Sequence, residues 1–240
     1  MRTRLLFQED SYLREFDAVV TRVNGDKVFL DQTAFHPKPY GGLDTDTGYL
    51  VLGDGVRVRV SEAIVLDDDV AHVVEDPDLI TTGSTVRGVI DWERRYNMMK
   101  LHTASHILAA LLYKEYDARV TGGHIAPEHA RDDFDLSKAS DWRKALEWAV
   151  EETNRVIRRC IDVKVYWLDR EKALSIPGIV KLAERLPPEV DRIRIVEIPG
   201  VDIQADGGPH VRNTCEIGSI KILRLESKGK KKRRLYYTLG

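Results

Sequence analysis

Cysteine is nearly missing from this chain: Cys160 and Cys215 are the only two among 240 residues. Two are too few for a disulfide framework, so a small secreted scaffold is excluded and a reducing cytoplasm is the expected compartment. Long apolar runs are missing too. No stretch is long enough to span a bilayer, and the opening MRTRLLFQE holds an apolar run too short for a signal peptide, so no membrane association is expected. Charge of one sign is not in excess either. A net charge of −2 by itself says nothing for nucleic acid, and no internal repeat or low-complexity linker interrupts the chain.

What is present is the composition of an ordered protein, with 42% hydrophobic and 32% charged residues. The high charge beside so little cysteine is in keeping with a thermophilic source. The length suits one or two cores, and two are expected. The charge is unevenly spread. Acids gather at Asp67, Asp68, Asp69, Glu75, Asp76 and Asp78, whereas the last stretch carries Lys221, Arg224, Lys228, Lys230, Lys231, Lys232, Arg233 and Arg234 against the single acid Glu226. Such a basic end attracts phosphates locally.

The first ninety or so residues alternate apolar and polar positions, as strands do. Phe16 to Val20 and Val28 to Leu30 flank Asn24-Gly25, a dipeptide favoured in tight hairpins; further runs follow at Tyr49 to Leu52, Val56 to Val60 and Ala63 to Leu66. A small barrel or curled sheet ending near Gly88 is predicted. Beyond Asp91 the period becomes helical through Trp92, Tyr96, Met99, Leu101, Ala104, Leu108 and Leu112. A second long helix is predicted from Ser140 to Arg159, with Ser140 or Asp141 as its cap. Strands at Asp162 to Trp167 and Arg192 to Glu197 should enclose a short helix near Val180 to Arg185, and Ile217 to Leu225 with Arg234 to Leu239 should form a terminal hairpin around Lys228-Gly229-Lys230. The fold class expected is α+β: a β-barrel-like domain over residues 1–88, then an α+β domain over 89–240 with two long helices on a mainly antiparallel sheet.

Chemistry concentrates in two places. His102 and His106 stand four apart on the first long helix, so their imidazoles share one face, a spacing that suits a metal ion. In Asp206-Gly207-Gly208-Pro209-His210 two glycines let the backbone turn tightly and bring a carboxylate and an imidazole together. Three histidines and one carboxylate are acceptable ligands for a divalent ion such as zinc. The plainer alternatives are a partly buried histidine pair and an ordinary loop turn.

The stretch Asp91-Trp92-Glu93-Arg94-Arg95-Tyr96, then His102-Thr103-Ala104-Ser105-His106, resembles the editing domain of alanyl-tRNA synthetases and the free-standing AlaX editing proteins. So does the run from Asp206 through His210 to Cys215-Glu216-Ile217-Gly218. Thr33-Ala34-Phe35-His36-Pro37 with Gly41-Gly42 and Asp46-Thr47-Gly48 is similar to the glycine-rich motif of the medium-length AlaX proteins, so the resemblance covers most of the chain. There are departures. Asp206 stands where the family has a ligand cysteine, Cys215 where it has a glycine, and Leu43 where a glutamine often follows the paired glycines. Asp206 is favoured over Cys215 as fourth ligand; a site of three histidines with Asp206 holding an imidazole or a water is the further alternative.

The resemblance implies one Zn2+ per chain and a partner, tRNA(Ala) mischarged with serine or glycine, hydrolysed without ATP. It also implies substrate contacts at Thr121, Gly41, Gly42 and Asp46. For tRNA the candidates are Arg94, Arg95, Lys230, Lys231, Lys232 and Arg233, although lysine-rich hairpin tips also serve solubility. Glu216 is a candidate catalytic assistant or else a capping residue. Rival readings are a non-catalytic tRNA-binding module with a structural zinc, and an editing hydrolase for another mischarged tRNA. A zinc peptidase is disfavoured, because no glutamate follows His102.

Overall fold

A computed structural model describes residues 3–38, 40–177, 179, 190–229 and 231–240. The chain forms two compact units, Met1–Tyr96 and Asn97–Gly240. The first opens with strand β1 (Arg4–Leu5), helix α1 (Leu6–Glu9), β2 (Glu15–Asn24), β3 (Lys27–Leu30) and β4 (Gln32–Thr33). It continues through β5 (Gly48–Val51), β6 (Arg57–Leu66), β7 (Asp69–Val74) and β8 (Thr85–Ile90). Strands β2, β3, β7, β6, β5 and β8 close a barrel in that order, and β1 pairs with β4 in parallel. The predicted hairpin is there, with β2 paired to β3 and Gly25 at φ 58° in its turn. The expected runs from Val56 to Val60 and Ala63 to Leu66 fall, Val56 aside, in one strand, β6, whose pairing with β7 slips between Val60 and Glu62. That irregularity shifts the alternation by one residue, so one strand reads as two.

Alternating side chains of these strands, including Phe16, Val20, Val28, Leu50, Val58 and Val60, fill the barrel. Gly88 is required there: a Cβ on it would meet the Phe16 ring at 2.2 Å. Two buried polar groups are satisfied within the barrel. His72 Nδ1 lies 3.0 Å from the Val28 carbonyl and its Nε2 lies 2.8 Å from the Thr33 hydroxyl.

Helix α2 (Trp92–Tyr116) follows, capped where Arg94 N–H donates to Asp91 Oδ1, and ends before Asp117 at φ 51°. Its sequence reads as an amphipathic stripe, yet nearly every residue from Met98 to Leu112 is buried. Ala104, Ala109 and Ala110 keep it slim enough to be surrounded.

The second unit adds β9 (Val120–Ile125), β10 (Ala130–Asp135), helix α3 (Trp142–Ile157), β11 (Lys164–Asp169) and helix α4 (Arg170–Leu174). It ends with β12 (Arg192–Ile198), β13 (Asp202–Ala205), β14 (Ile220–Lys228) and β15 (Lys232–Leu239). All pairings here are antiparallel, in two sheets ordered β14-β15-β10-β9 and β11-β12-β13. With two long helices and mainly antiparallel sheets the fold is α+β, as expected. Asp141 caps α3, accepting from the backbone N–H groups of Arg143 and Lys144. Asn154 locks α3 onto β14 through reciprocal bonds with the Ile220 backbone at 2.9 and 2.8 Å. The helix expected near Val180 to Arg185 lies outside the described residues.

Cys160 and Cys215, too few for a disulfide framework and read as belonging to a reducing compartment, form a disulfide across 55 residues. Long-range hydrogen bonds bring them together: Thr214 Oγ1 donates to the Ile157 carbonyl and accepts from Ile161 N–H, while Asn213 Nδ2 donates to the Cys160 carbonyl.

Candidate metal centre

One face of α2 presents His102 and His106 into the interior of the second unit, a turn apart, with ring centroids 5.0 Å from each other. The segment after β13 brings Asp206 and His210 to the same point. His210 stacks on His102 at 4.1 Å, and the ligand atoms of all four side chains lie within 4.8 Å of one another. Asp206 Oδ2 is 3.6 Å from His102 Nε2 and 3.8 Å from His106 Nε2, while Oδ1 is 3.3 Å from His210 Nε2. Ligands about 2.1 Å from a tetrahedral zinc stand roughly 3.4 Å apart, so the donor set fits such an ion.

The rings are aimed by their other nitrogens. His102 Nδ1–H donates to the Pro209 carbonyl at 3.2 Å, and His106 Nδ1–H donates to Asp202 Oδ2 at 3.0 Å. The Thr103 hydroxyl gives its proton to the Met99 carbonyl, so it accepts from His210 Nδ1–H at 3.1 Å. Each imidazole therefore turns Nε2 towards Asp206.

The loop is held as firmly. Buried Arg194 donates through Nη1 to the carbonyls of Asp206 and Gly208, both at 2.9 Å, and Gly208 N–H donates to Asp206 Oδ1 at 2.6 Å. Gly208 has no room for a side chain, because a Cβ would stand 2.7 Å from His102 Cε1.

Electrostatics follow from this crowding. Burial opposes charge on His106, but hydrogen bonds to Asp202 and Asp206 outweigh it and raise its pKa to about 9. His210 is held well below the ordinary histidine value, first by burial and then by the positive charge of its neighbours. For Asp206 burial acts upward, yet the three surrounding histidines hold the carboxyl well below its usual range. A divalent ion bound there would need the facing imidazole nitrogens free of their protons.

The other sequence candidates are scattered. Cys215, bonded to Cys160, is no longer a ligand candidate. Glu216 closes a capping box, its Oε1 accepting from the N–H groups of Arg212 and Asn213. Thr121 lies on β9, half-buried, and donates to the Asp133 carbonyl. In the first unit, Arg95 and Asp46 were candidates for tRNA and substrate, but both are fully buried and bound to each other. Arg95 also donates to the carbonyls of Ala34 and Ser11, and Asp46 accepts from His36 N–H, so neither side chain is presented to a ligand. Arg94 binds Asp44 and the Thr45 carbonyl. Gly41 and Gly42 lie in a tight turn with left-handed backbone, at φ 59° and 78°. On the β14–β15 hairpin, Arg233 Nη1 donates to Ser227 Oγ and the Gly229 carbonyl, and Lys232 faces Asp133 at 3.9 Å. Lys231 is exposed, and Lys230 lies outside the described residues.

Thr103, Arg194 and Asp202 were not singled out from sequence. On β13 Asp202 and Gln204 take the more buried positions while Ile203 and Ala205 are half-buried against Ala173, Ile179, Ile193 and Ile195, so alternation alone gave no signal for Asp202.

Residues 193–236 match the family described as Threonyl and Alanyl tRNA synthetase second additional domain. The chain is 50% identical to the alanyl-tRNA editing protein AlaX-M of Saccharolobus solfataricus over 99% of both chains. It is 40% identical to AlaX-M of Methanosarcina acetivorans, again over 99% of both. The chain belongs to the AlaX-M family of alanyl-tRNA editing proteins. The resemblance seen in the sequence motifs is therefore real across the whole AlaX-M length. Its relation to the synthetases holds as well: 93% of the chain aligns at 37% identity with 24% of the alanine–tRNA ligase of Pyrococcus furiosus. Among the described residues the candidate centre of this family member has three nitrogen donors and one oxygen donor.

Proposed function

We propose that the chain is a trans-editing hydrolase that removes serine, and also glycine, from mischarged tRNA(Ala) in the cytoplasm, at one Zn2+ held by His102, His106, His210 and Asp206. The observation that carries this is the convergence of three buried histidines and the half-buried Asp206 in a member of an alanyl-tRNA editing family. When bound, the metal supplies Lewis-acid charge for ester hydrolysis. The chain's own residues do the rest. Pro209, Asp202 and Thr103 hold the rings in register and Arg194 holds the loop, while water is the second reactant that cleaves the ester.

Selectivity between serine and alanine needs a polar group left unpaired when the substrate hydroxyl is absent, and we assign that role to Thr121. The turn at Gly41 and Gly42 is assigned to restricting what reaches the reaction. Phosphate contact is assigned to Lys230, Lys231, Lys232 and Arg233, with Arg94. Arg95 and Asp46 take no part, being consumed by each other.

The test is loss of amino acid from tRNA(Ala) charged with serine, glycine or alanine. Seryl and glycyl esters should be lost and the alanyl ester spared, with activity abolished in His102→Ala and removed by a chelator. Seryl-tRNA surviving as long with the protein as without it refutes the reading. Four donors in tetrahedral reach also describe a closed structural zinc in a non-catalytic tRNA-binding module, the second reading; a folded, zinc-loaded chain that binds the tRNA without hydrolysing its ester would favour it. Metal content of Asp206→Ala separates a fourth ligand from a hydrogen-bonding partner.

A further inference from the structure

The three imidazoles of the centre are not supported alike. His102 and His210 give their Nδ1 protons to neutral acceptors, a carbonyl and a hydroxyl, whereas His106 gives its proton to a carboxylate, Asp202. The Asp202 side chain is wholly buried and His106 nearly so. Asp202 opens β13 and Asp206 follows its end, so one strand supplies both carboxylates. They bracket the ring of His106, with Oδ2 of Asp202 at 3.0 Å from Nδ1 and Oδ2 of Asp206 at 3.8 Å from Nε2. Pairing of Ile198 with Asp202 and of Ile195 with Ala205 fixes where that strand lies against β12. Burying a carboxylate without a strong partner is costly, so its position here calls for a function beyond packing.

We propose that Asp202 is a positioning residue for metal binding: it orients the His106 ring, strengthens its Nε2 as a donor, and adds a second negative charge near the ion. This rests on the reading that the cluster holds a divalent metal. It does not rest on the reaction, and its test needs no tRNA.

The measurement is zinc affinity of the full-length chain by competition with a chromophoric chelator, together with the visible absorption band of the Co2+-loaded protein. Wild type, Asp202→Ala and Asp202→Asn are compared, with circular dichroism and thermal unfolding of each metal-free chain as a check on folding. Losing such a partner typically weakens metal binding by about 10–100-fold, which is the result expected for Asp202→Ala, with a displaced Co2+ band. In Asp202→Asn the amide oxygen still accepts from Nδ1–H, so the band should stay in place while affinity falls by roughly 3–10-fold for the lost charge. Zinc bound by folded Asp202→Ala within twofold of wild type overturns the inference. So does an Asp202→Asn as weak as Asp202→Ala. If Asp202→Ala does not fold, Asp202→Asn decides alone, and wild-type affinity in it overturns the inference. A wild-type chain that takes up no zinc overturns both this inference and the metal reading on which it rests. One that binds zinc as described but spares seryl-tRNA refutes only the proposed reaction.

Discussion

Adding a single methyl group at Gly208 should disable the centre without disturbing the fold. The Cβ would lie 2.7 Å from His102 Cε1, 3.1 Å from His102 Nδ1 and 3.3 Å from Asp206 Oδ1. Carbon atoms pack at about 3.5–4.0 Å, so the ring must retreat by roughly 1 Å. It cannot do so freely, because Nδ1 is bonded to the Pro209 carbonyl and the opposite face of the ring is stacked within a cluster of three imidazoles. Gly208 is not among the glycines with positive φ, so the backbone itself admits alanine. Metal sites tolerate ligand errors of about 0.2 Å, and a displacement several times larger removes much of one ligand's contribution. An affinity loss of about 10–100-fold, or roughly 1.4–2.7 kcal/mol, is expected. Chelator competition gives that number, and the thermal midpoint of the metal-free variant checks the fold. Wild-type affinity in a folded Gly208→Ala chain would refute the claim that this glycine exists to admit His102.

Arg95→Ala leaves the Asp46 carboxylate buried without its cation, so a loss of about 3–5 kcal/mol is expected in urea unfolding, and Arg95→Lys should not restore it because three separate acceptors need the guanidinium fork. Burial holds His72 at a pKa of about 4 against an ordinary 6.5. The unfolded chain then binds the extra proton first, so barrel stability is full above pH 6.5 and falls, by up to about 3 kcal/mol, as pH drops towards 4. His72→Gln should flatten that part of the pH–stability curve. Reducing Cys160–Cys215, which closes a loop spanning 55 residues, should lower unfolding stability by about 4 kcal/mol on the chain-entropy scale, measured with and without reductant. Editing that persists undiminished as salt rises from about 50 to 200 mM would count against phosphate contacts by the basic hairpin.

Some of the centre is local and was legible in the residues. Four-residue spacing on a helix puts His102 and His106 on one side whatever surrounds them, and two glycines within Asp206 to His210 allow a turn in any context. The barrel, both long helices and the terminal hairpin were legible for the same reason: their periods repeat within a few residues. Strands β9, β10 and β13 were not. They are short, their glycines and acids blur the alternation, and β10 owes part of its pairing to β15, far away in the chain.

Fold class, the shared helix face of His102 and His106 and the family were thus determined by the sequence alone, since periodicity and motif spacing survive without tertiary context. Packing decided the remainder: that Asp206, not Cys215, meets the histidines; that Arg95 and Asp46 neutralise each other inside the first unit; and that Asp202 and Thr103 aim the rings. The reason is desolvation. A buried charge or imidazole must find a partner, and which one it finds depends on what the fold brings within about 3 Å, a distance no linear spacing encodes.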